Sequence, residues 1–399
     1  MKILIIDEEF PFPLNTGKRI RSFNLAKALT SFHDVSYLAY GLSGSDAFRF
    51  MQKNRITPFP VNPLDRRKSG IGFYFRLLLN LASPLPYIVT SHYSKVFKER
   101  LKGFLKKDVY DVIICEWTPY AIFLRDLPAV KKIIVAHNIE SRIWERYQSE
   151  ERNPLRRAYI TIQRQKIEKY ERKCFHWADG ATAVSESEAL QIKNYGVGYP
   201  VEVIENGVDV EYFSPQEYDI DPNMLVFTGS MDWRPNQDAS GYFVTEILPH
   251  IRKRKPSIKV FLVGRNPSKS VLKLGKLDGV KVTGTVDDVR PFMASAGVYV
   301  VPLRIGGGSR VKILEALAMR KAVVSTSIGA EGLRVKHGEE IIISDRAEGF
   351  AEAVVTCLGD TDLSRRLGEN GRMLVEKYYR WEELGKKYND YIVAVVNRR

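Results

Sequence analysis

Short, continuous runs of Val, Ile and Leu alternate with helix-like stretches along the whole chain, and this alternation constrains the fold most. In the first half the strand-like runs are KILIID, DVSYLAY, DVIICEW, KKIIVAH, GATAVS and VEVIEN. Helical stretches lie between them, at 18–29, 93–105 and 155–177. The second half repeats the scheme with MLVFTGS, IKVFLVG, VKVTGT, VYVVPL, AVVSTS and EIIISD. Runs without polar alternation indicate parallel strands covered on both faces. Strands alternating with helices indicate doubly wound α/β sheets. The pattern restarts near Met224, after the polar stretch SPQEYDIDPN at 214–223. A chain of 399 residues also exceeds what one hydrophobic core usually supports. Two Rossmann-like domains are therefore expected, at 1–215 and 216–380.

Several function classes lack their signatures. No GxGxxG follows the first strand, which disfavours a nicotinamide or flavin dehydrogenase, and there is no Walker A sequence. Cys115, Cys174 and Cys357 are far apart and odd in number, pointing to a reducing compartment rather than a metal site. Histidines 33, 92, 176, 250 and 337 show no joint ligand spacing, and the Asp219/Asp221 pair falls in the expected linker. The start, MKILIIDEEF, reads as a buried strand without a basic leader or cleavage site. No apolar run approaches the roughly 20 residues that span a bilayer. A cytoplasmic protein is expected.

The net charge is +14, which implies an anionic partner: nucleic acid, a membrane surface or phosphorylated substrates. The excess is uneven. Between Arg66 and Lys107 ten Lys/Arg (66, 67, 68, 76, 95, 98, 100, 102, 106, 107) face one acid, Glu99. The same window holds Phe73, Tyr74, Phe75 and Leu77 to Leu79, which could lie in a lipid interface. A solvated basic face beside a core helix explains the window equally well. Nucleic acid is disfavoured, because no binding motif accompanies the charge.

The segment RIGGGSRVKILEALA, 304–318, runs three glycines and a serine into an apolar-periodic helix. Arg310 and Lys312 stand in its first turn, where the helix dipole penalises cations by a few tenths of a kcal/mol. Gly306, Gly307 and Gly308 permit close backbone approach and positive φ. Ser309 is a good N-cap, with the helix starting at about Arg310. Exposed amides and the dipole then converge on an anion site. A diphosphate there would outweigh the repulsion from Arg310 and Lys312; a flexible loop followed by a Lys312–Glu315 pair is the plain alternative. Glu315 borders the apolar face of Val311, Leu314 and Ala318, so its carboxylate should be half-buried and in need of donors. Ribose hydroxyls, a lysine or backbone amides would all serve.

This segment, extended through AMRKAVVSTSIGAEGL, resembles the donor-site signature of the retaining GT-B glycosyltransferases of family 4. So do ENGVDVEYFSP (205–215), FTGSMDWRPNQDA (227–239), VAHNIES (135–141) and the opening FPFPLNTGKRIRSFNLAKAL. The resemblance covers nearly the whole chain in the expected order. It implies a GT-B α/β fold: two Rossmann-like domains facing across a cleft, the first binding acceptor and the second a nucleotide-sugar. It also implies that a last helix, within 381–399, returns to the first domain. Glu315 matches the second glutamate of the family's EX7E motif, which binds the ribose, while the first falls at Gly307. The family's diphosphate-binding Arg and Lys align approximately with Ser230 and Asn236. Gly306–Gly308, Ser309, Arg310 and Lys312 are the natural substitutes, with Gly229 and Asn236 completing the donor site. His137 matches a histidine near the transferred sugar, although a histidine capping the next turn would also fit the residues alone. Gly17 matches the family's first glycine loop, where Asn15 and Thr16 would otherwise be plain turn residues.

The expected reaction is sugar transfer from a nucleotide-sugar to a glycan or lipid-linked acceptor, with retention at the anomeric carbon. Arg310, Lys312 and the helix amides would stabilise the departing diphosphate without a cofactor or divalent metal. His137 would position the sugar. A nucleotide-sugar epimerase shares this architecture, and the missing first glutamate keeps a non-catalytic nucleotide-sugar-binding scaffold in view. An anionic membrane, at the inner face, is the expected peripheral partner of the basic window.

Overall fold

The computed structural model describes residues 1–62, 70–127, 130–216, 218–305 and 310–398. These divide into two compact units, 1–205 with 381–398, and 206–305 with 310–380.

The first unit holds a seven-stranded sheet in the order β3-β2-β1-β4-β5-β6-β7, every pairing parallel. Its strands are β1 (Lys2–Glu9), β2 (Asp34–Tyr40), β3 (Ile56–Val61), β4 (Val112–Cys115), β5 (Lys131–Val135), β6 (Gly180–Ala183) and β7 (Val201–Val203). Side chains alternate along a strand, so the unbroken apolar runs feed two cores. Ile3, Ile5, Tyr37 and Ile114 point to one side, against Phe23 and Leu25 of the helix Gly17–Leu29. Leu4, Ile6, Leu38 and Ile113 point to the other, against Phe97, Leu101, Tyr170 and Phe175. Burying each such side chain contributes about 1.5–3 kcal/mol relative to leaving it in water.

One strand escaped the sequence reading. The edge strand β3 carries Pro58 and Pro60 and pairs with β2 alone. An edge position tolerates the missing N–H donors that would rule proline out of a central strand.

The helix Trp381–Asn397 belongs to this first unit. Leu384, Tyr388, Ile392 and Val395 fill the core beside Phe23 and Leu25. Tyr391 ties it to the sheet: its hydroxyl accepts the Ala181 amide at 2.8 Å and donates to the Pro200 carbonyl at 2.7 Å. Gly180 makes room for it, since a Cβ there would stand 2.7 Å from that hydroxyl oxygen.

The second unit holds six parallel strands in the order β10-β9-β8-β11-β12-β13. They are β8 (Asp221–Thr228), β9 (Lys259–Val263), β10 (Val280–Gly284), β11 (Ala296–Val301), β12 (Val323–Ser325) and β13 (Ile342–Ile343). The chain changes unit between Glu205 and Asn206, upstream of the polar 214–223 stretch. Val208 and Val210 already pack in the second core, and the Val208 amide donates to the Tyr379 carbonyl at 2.8 Å. Asp221, assigned to the linker from sequence, begins β8.

Candidate functional site

In each sheet the strand order reverses beside the first strand, between β1 and β4 and between β8 and β11. Open α/β sheets leave a crevice outside the carboxyl ends of the strands at such points. Polar side chains gather at both.

In the second unit β8 ends at Thr228, whose hydroxyl meets that of Tyr299 on β11 at 2.5 Å. Thr228 is level with Val263 of β9, so Gly229 and Gly264 leave the sheet side by side. A Cβ on Gly264 would sit 1.7 Å from the Gly229 carbonyl oxygen, a contact that only glycine avoids. Beyond Gly229 the chain turns into the helix Arg234–Tyr242, which carries Asn236. Arg304, at the head of the glycine segment, is held against this helix, pairing with Asp238 at 2.7 Å and lying over the Tyr242 ring.

The helix Val311–Ala318 follows, with Arg310 as its capping residue and no side-chain cap bond. It therefore begins one residue later than the sequence suggested. Gly306, Gly307, Gly308 and Ser309, assigned to the donor from sequence, lie outside the described residues. Arg310 is buried and pairs with Glu331 at 3.1 Å. Lys312 crosses to the helix Arg234–Tyr242, donating from Nζ to Asn236 Oδ1 at 2.8 Å above the Phe227 ring. Asn236 in turn donates to the Ser230 carbonyl at 2.9 Å, and Arg265 donates to the Ser230 hydroxyl at 2.9 Å. A Cβ on Gly229 would stand 2.6 Å from Asn236 Nδ2 and 2.9 Å from Lys312 Nζ.

The two positions where the family resemblance called for cations, Ser230 and Asn236, are thus each bonded to a cation from elsewhere in the chain. Lys312 came from the sequence reading; Arg265 did not. No spacing rule marks it, although it follows β9 directly.

Glu315 stands one helical turn beyond Lys312, partly exposed, and among the described residues no hydrogen bond reaches its carboxylate. Burial pushes its carboxyl up to about 7, with Lys312 opposing. Burial likewise pushes the Lys312 ammonium down to about 7; Glu315 opposes the drop and Arg310 adds to it. A diphosphate placed here would meet a lysine with unsatisfied charge and a carboxylate lacking donors.

In the first unit, Thr16 caps the helix Gly17–Leu29 through the Arg19 amide at 3.3 Å, so Gly17 is its first residue rather than part of a loop. Lys18 donates to Asp7 and Glu8, each at 2.7 Å, and Tyr37 donates to Asp7 at 2.7 Å. Burial would push the Lys18 ammonium down, but the two carboxylates outweigh it and hold it above the usual lysine range. His137 lies just past β5 and is buried, its Nε2 2.9 Å from Glu116 Oε2 beyond β4. Ser22 donates to the same oxygen at 2.7 Å. Trp117 donates to Glu140 at 2.8 Å. Glu116, Asp7 and Lys18 were not singled out from sequence, where an acid after an apolar strand looks like any strand end. Among the described residues no cluster of three His, Cys, Asp or Glu could hold a metal ion.

Two family models match the chain. One, described as glycosyltransferase family 4, covers residues 20–212; the other, glycosyl transferases group 1, covers 222–360. The chain belongs to the family 4, group 1 glycosyltransferases. The fold of this glycosyltransferase is GT-B, as expected. It superposes on sucrose-phosphate synthase from Thermosynechococcus elongatus with a TM-score of 0.73, at 17% identity over 99% of both chains. A Klebsiella pneumoniae protein described as an uncharacterized 44.6 kDa protein in the cps region is 20% identical over 95% of this chain and 96% of its own. A GDP-mannose-dependent α-(1-6)-phosphatidylinositol monomannoside mannosyltransferase of Mycobacterium tuberculosis is 26% identical, over 50% of this chain and 57% of its own. The glycosyltransferase thus spans little more than half the length of that mannosyltransferase in the match.

Of the basic window, Arg66, Arg67 and Lys68 lie outside the described residues. The helix Ile71–Leu81 exposes Tyr74, Phe75, Leu78 and Leu79, each by 59% or more, whereas Phe73 packs against Tyr87 and Leu77 is half-buried. On the helix Lys95–Lys107, Lys95, Arg100, Lys106 and Lys107 are exposed, on a broad face that also carries the exposed Glu99. Lys98 and Lys102 are paired, with Asp126 at 2.8 Å and Glu99 at 3.9 Å. No helix among the described residues is long and apolar enough to cross a membrane.

Proposed function

We propose that this glycosyltransferase moves a sugar from a nucleotide-sugar to a glycan or lipid-linked acceptor, retaining the anomeric configuration and using no divalent metal. The observation that carries the reading is the meeting of Lys312 with Asn236 at the second switch point, with Arg265, Arg310 and Glu315 around it. Breaking the glycosidic bond builds oxocarbenium character on the sugar and negative charge on the departing diphosphate. Fixed cations at the leaving group lower that barrier. Lys312 and Arg310 do this at the helix start, while Glu315 takes the ribose hydroxyls as its missing donors. His137 orients the sugar in the first unit. Retention proceeds from the front face, the leaving diphosphate and the acceptor sharing one side of the sugar, so no enzymatic nucleophile is required. The mannosyltransferase relative, named for GDP-mannose and phosphatidylinositol monomannoside, supports the donor class and a lipid-linked acceptor.

The exposed apolar face of the helix Ile71–Leu81 and the cationic face of Lys95–Lys107 fit a peripheral contact with anionic lipid at the cytoplasmic face. A panel of nucleotide-sugars, scored first by thermal shift and then by nucleoside diphosphate release with acceptor, tests the function. Diphosphate release with a glycosylated acceptor supports it. A new nucleotide-sugar with no transfer product would mean an epimerase, and binding without turnover a scaffold.

A further inference from the structure

Ser22, Glu116 and His137 come from three different elements and converge on one oxygen atom. Glu116 follows β4 and His137 follows β5, neighbouring strands that run in register from Val112 and Lys131 to Cys115 and Ile134. Ser22 lies on the helix Gly17–Leu29. Glu116 Oε2 takes the imidazole Nε2 at 2.9 Å and the Ser22 hydroxyl at 2.7 Å. Ser22 and Glu116 are each 1% exposed and His137 is 8% exposed. Buried charge is costly unless it is compensated. His137 and Ser22 do most of this. Arg21, the preceding residue on the helix, adds a weaker attraction from beyond ion-pair distance while its guanidinium donates to the Glu205 carbonyl at 2.7 Å. Burial would push the Glu116 carboxyl up, but His137, Ser22 and Arg21 outweigh it and hold it below the ordinary glutamate value.

An ionised carboxylate only accepts hydrogen bonds. The ring nitrogen facing it must therefore carry the proton, so that in the neutral ring Nδ1 is the bare nitrogen. No described residue hydrogen-bonds Nδ1 of His137. We propose that Glu116 is the positioning residue for His137: it fixes the neutral imidazole as the Nε2–H tautomer and leaves Nδ1 as an acceptor for a hydroxyl of the transferred sugar. This rests on the reading of His137 as the residue that orients that sugar. The role is one of selection. A sugar hydroxyl can donate to Nδ1; a fluorine or hydrogen in its place cannot.

The tautomer is directly observable in the native protein, labelled with 15N-histidine, from long-range 1H–15N correlations of the imidazole. The His137 signals are assigned by their loss in His137→Asn. Protonated Nε2 with unprotonated Nδ1 is expected; the opposite tautomer, an averaged pair, or a ring protonated on both nitrogens overturns the proposal. In Glu116→Gln the amide can donate to Nε2, so the ring should shift toward Nδ1–H. With whichever of GDP-mannose and UDP-glucose the native protein turns over, kcat should then fall by about 10–100-fold, the range seen when a group that orients a metal-bound histidine is lost. Affinity for GDP and UDP should be unchanged. Should Glu116→Gln not fold, Glu116→Asp provides the kinetic comparison: a shorter carboxylate keeps the acceptor and the tautomer, and its kcat should lie between native and His137→Ala. Native tautomer with undiminished kcat in the folded Glu116 variants would make the pair merely structural and sink the proposal. Undiminished turnover by His137→Ala would instead refute the role of His137 itself, whatever the tautomer.

Discussion

Lys312 hydrogen-bonds Asn236 across 76 positions of sequence, at 2.8 Å, bringing a cation to a place where the chain itself has only an amide. The family resemblance called for a lysine near Asn236 and an arginine near Ser230. The structure meets both needs from other elements, with Lys312 and Arg265. The cations are thus kept beside these two positions while their own places in the sequence change.

Glu315→Gln and Arg310→Ala should each weaken nucleotide binding while the protein stays folded. Loss of a charge-assisted contact costs about 1.5–3 kcal/mol. Titration calorimetry with GDP and UDP on both variants provides the check; unchanged affinity in folded protein would remove these residues from the donor site.

Neutral pH should reveal Lys312 through proton uptake. Its ammonium is pushed down to about 7 by burial, so about half is uncharged at pH 7 in the empty site. A bound diphosphate favours the charged form and raises that value, so binding draws protons from buffer and weakens as pH rises above about 7. Calorimetry of a nucleotide-sugar in two buffers of different ionisation enthalpy measures the uptake. Glu315, whose carboxyl is also at about 7, releases protons as its carboxylate takes the ribose hydroxyls, so the Lys312 uptake is read as the difference between the native protein and Lys312→Met.

The same pair shapes stability without ligand. Glu315 has its folded value raised from 4.5 to about 7, so the folded state holds more protons and stability falls as pH rises across that window. Lys312 has its folded value lowered from 10.5 to about 7, so the unfolded state holds more protons and stability climbs between those values. The two contributions together place a minimum in stability near pH 7. Urea midpoints for the native protein and a Lys312→Met, Glu315→Gln double variant should differ most there.

Activity should survive EDTA, because Lys312, Arg310 and Arg265 supply the charge that a metal would otherwise bring. Loss on chelation, restored by Mg²⁺ or Mn²⁺, would overturn the metal-free mechanism.

Sedimentation with vesicles should require anionic lipid and fade with salt. Each cation near such a surface contributes about 1 kcal/mol, so replacing Lys95, Arg100, Lys106 and Lys107 with serine should release the protein. Nucleotide affinity should not change. Indifference of the native protein to anionic vesicles at low salt would leave a soluble acceptor as the better reading.

Much of the fold was legible because buried parallel strands write themselves as unbroken Val/Ile/Leu runs. Twelve of the strands follow such runs, and β3 does not, because Pro58 and Pro60 interrupt it. The candidate site was legible where it is local, as in Arg310, Lys312 and Glu315, three residues of one short segment. It was illegible where partners are distant. The Lys312–Glu315 spacing offered a simple pair as the alternative to an anion site, but the ammonium turns to Asn236, and only the folded chain brings Arg265 to Ser230. Glu116 is one acid among 47 Asp and Glu, and nothing short of the sheet order puts it beside His137.

The last helix has a consequence for how the protein is made. Tyr391 satisfies the buried Ala181 amide, and Leu384, Tyr388 and Ile392 complete a core whose other residues are translated first. The first unit is therefore begun early but closed only when this helix has been made and has left the ribosome. A product stalled or cut before Trp381 carries an open apolar face on its earlier-made half, and becomes a substrate for chaperones and proteases rather than a half-active enzyme. Emergence of this helix, not completion of the sheet, is the step that commits the first unit to its native state.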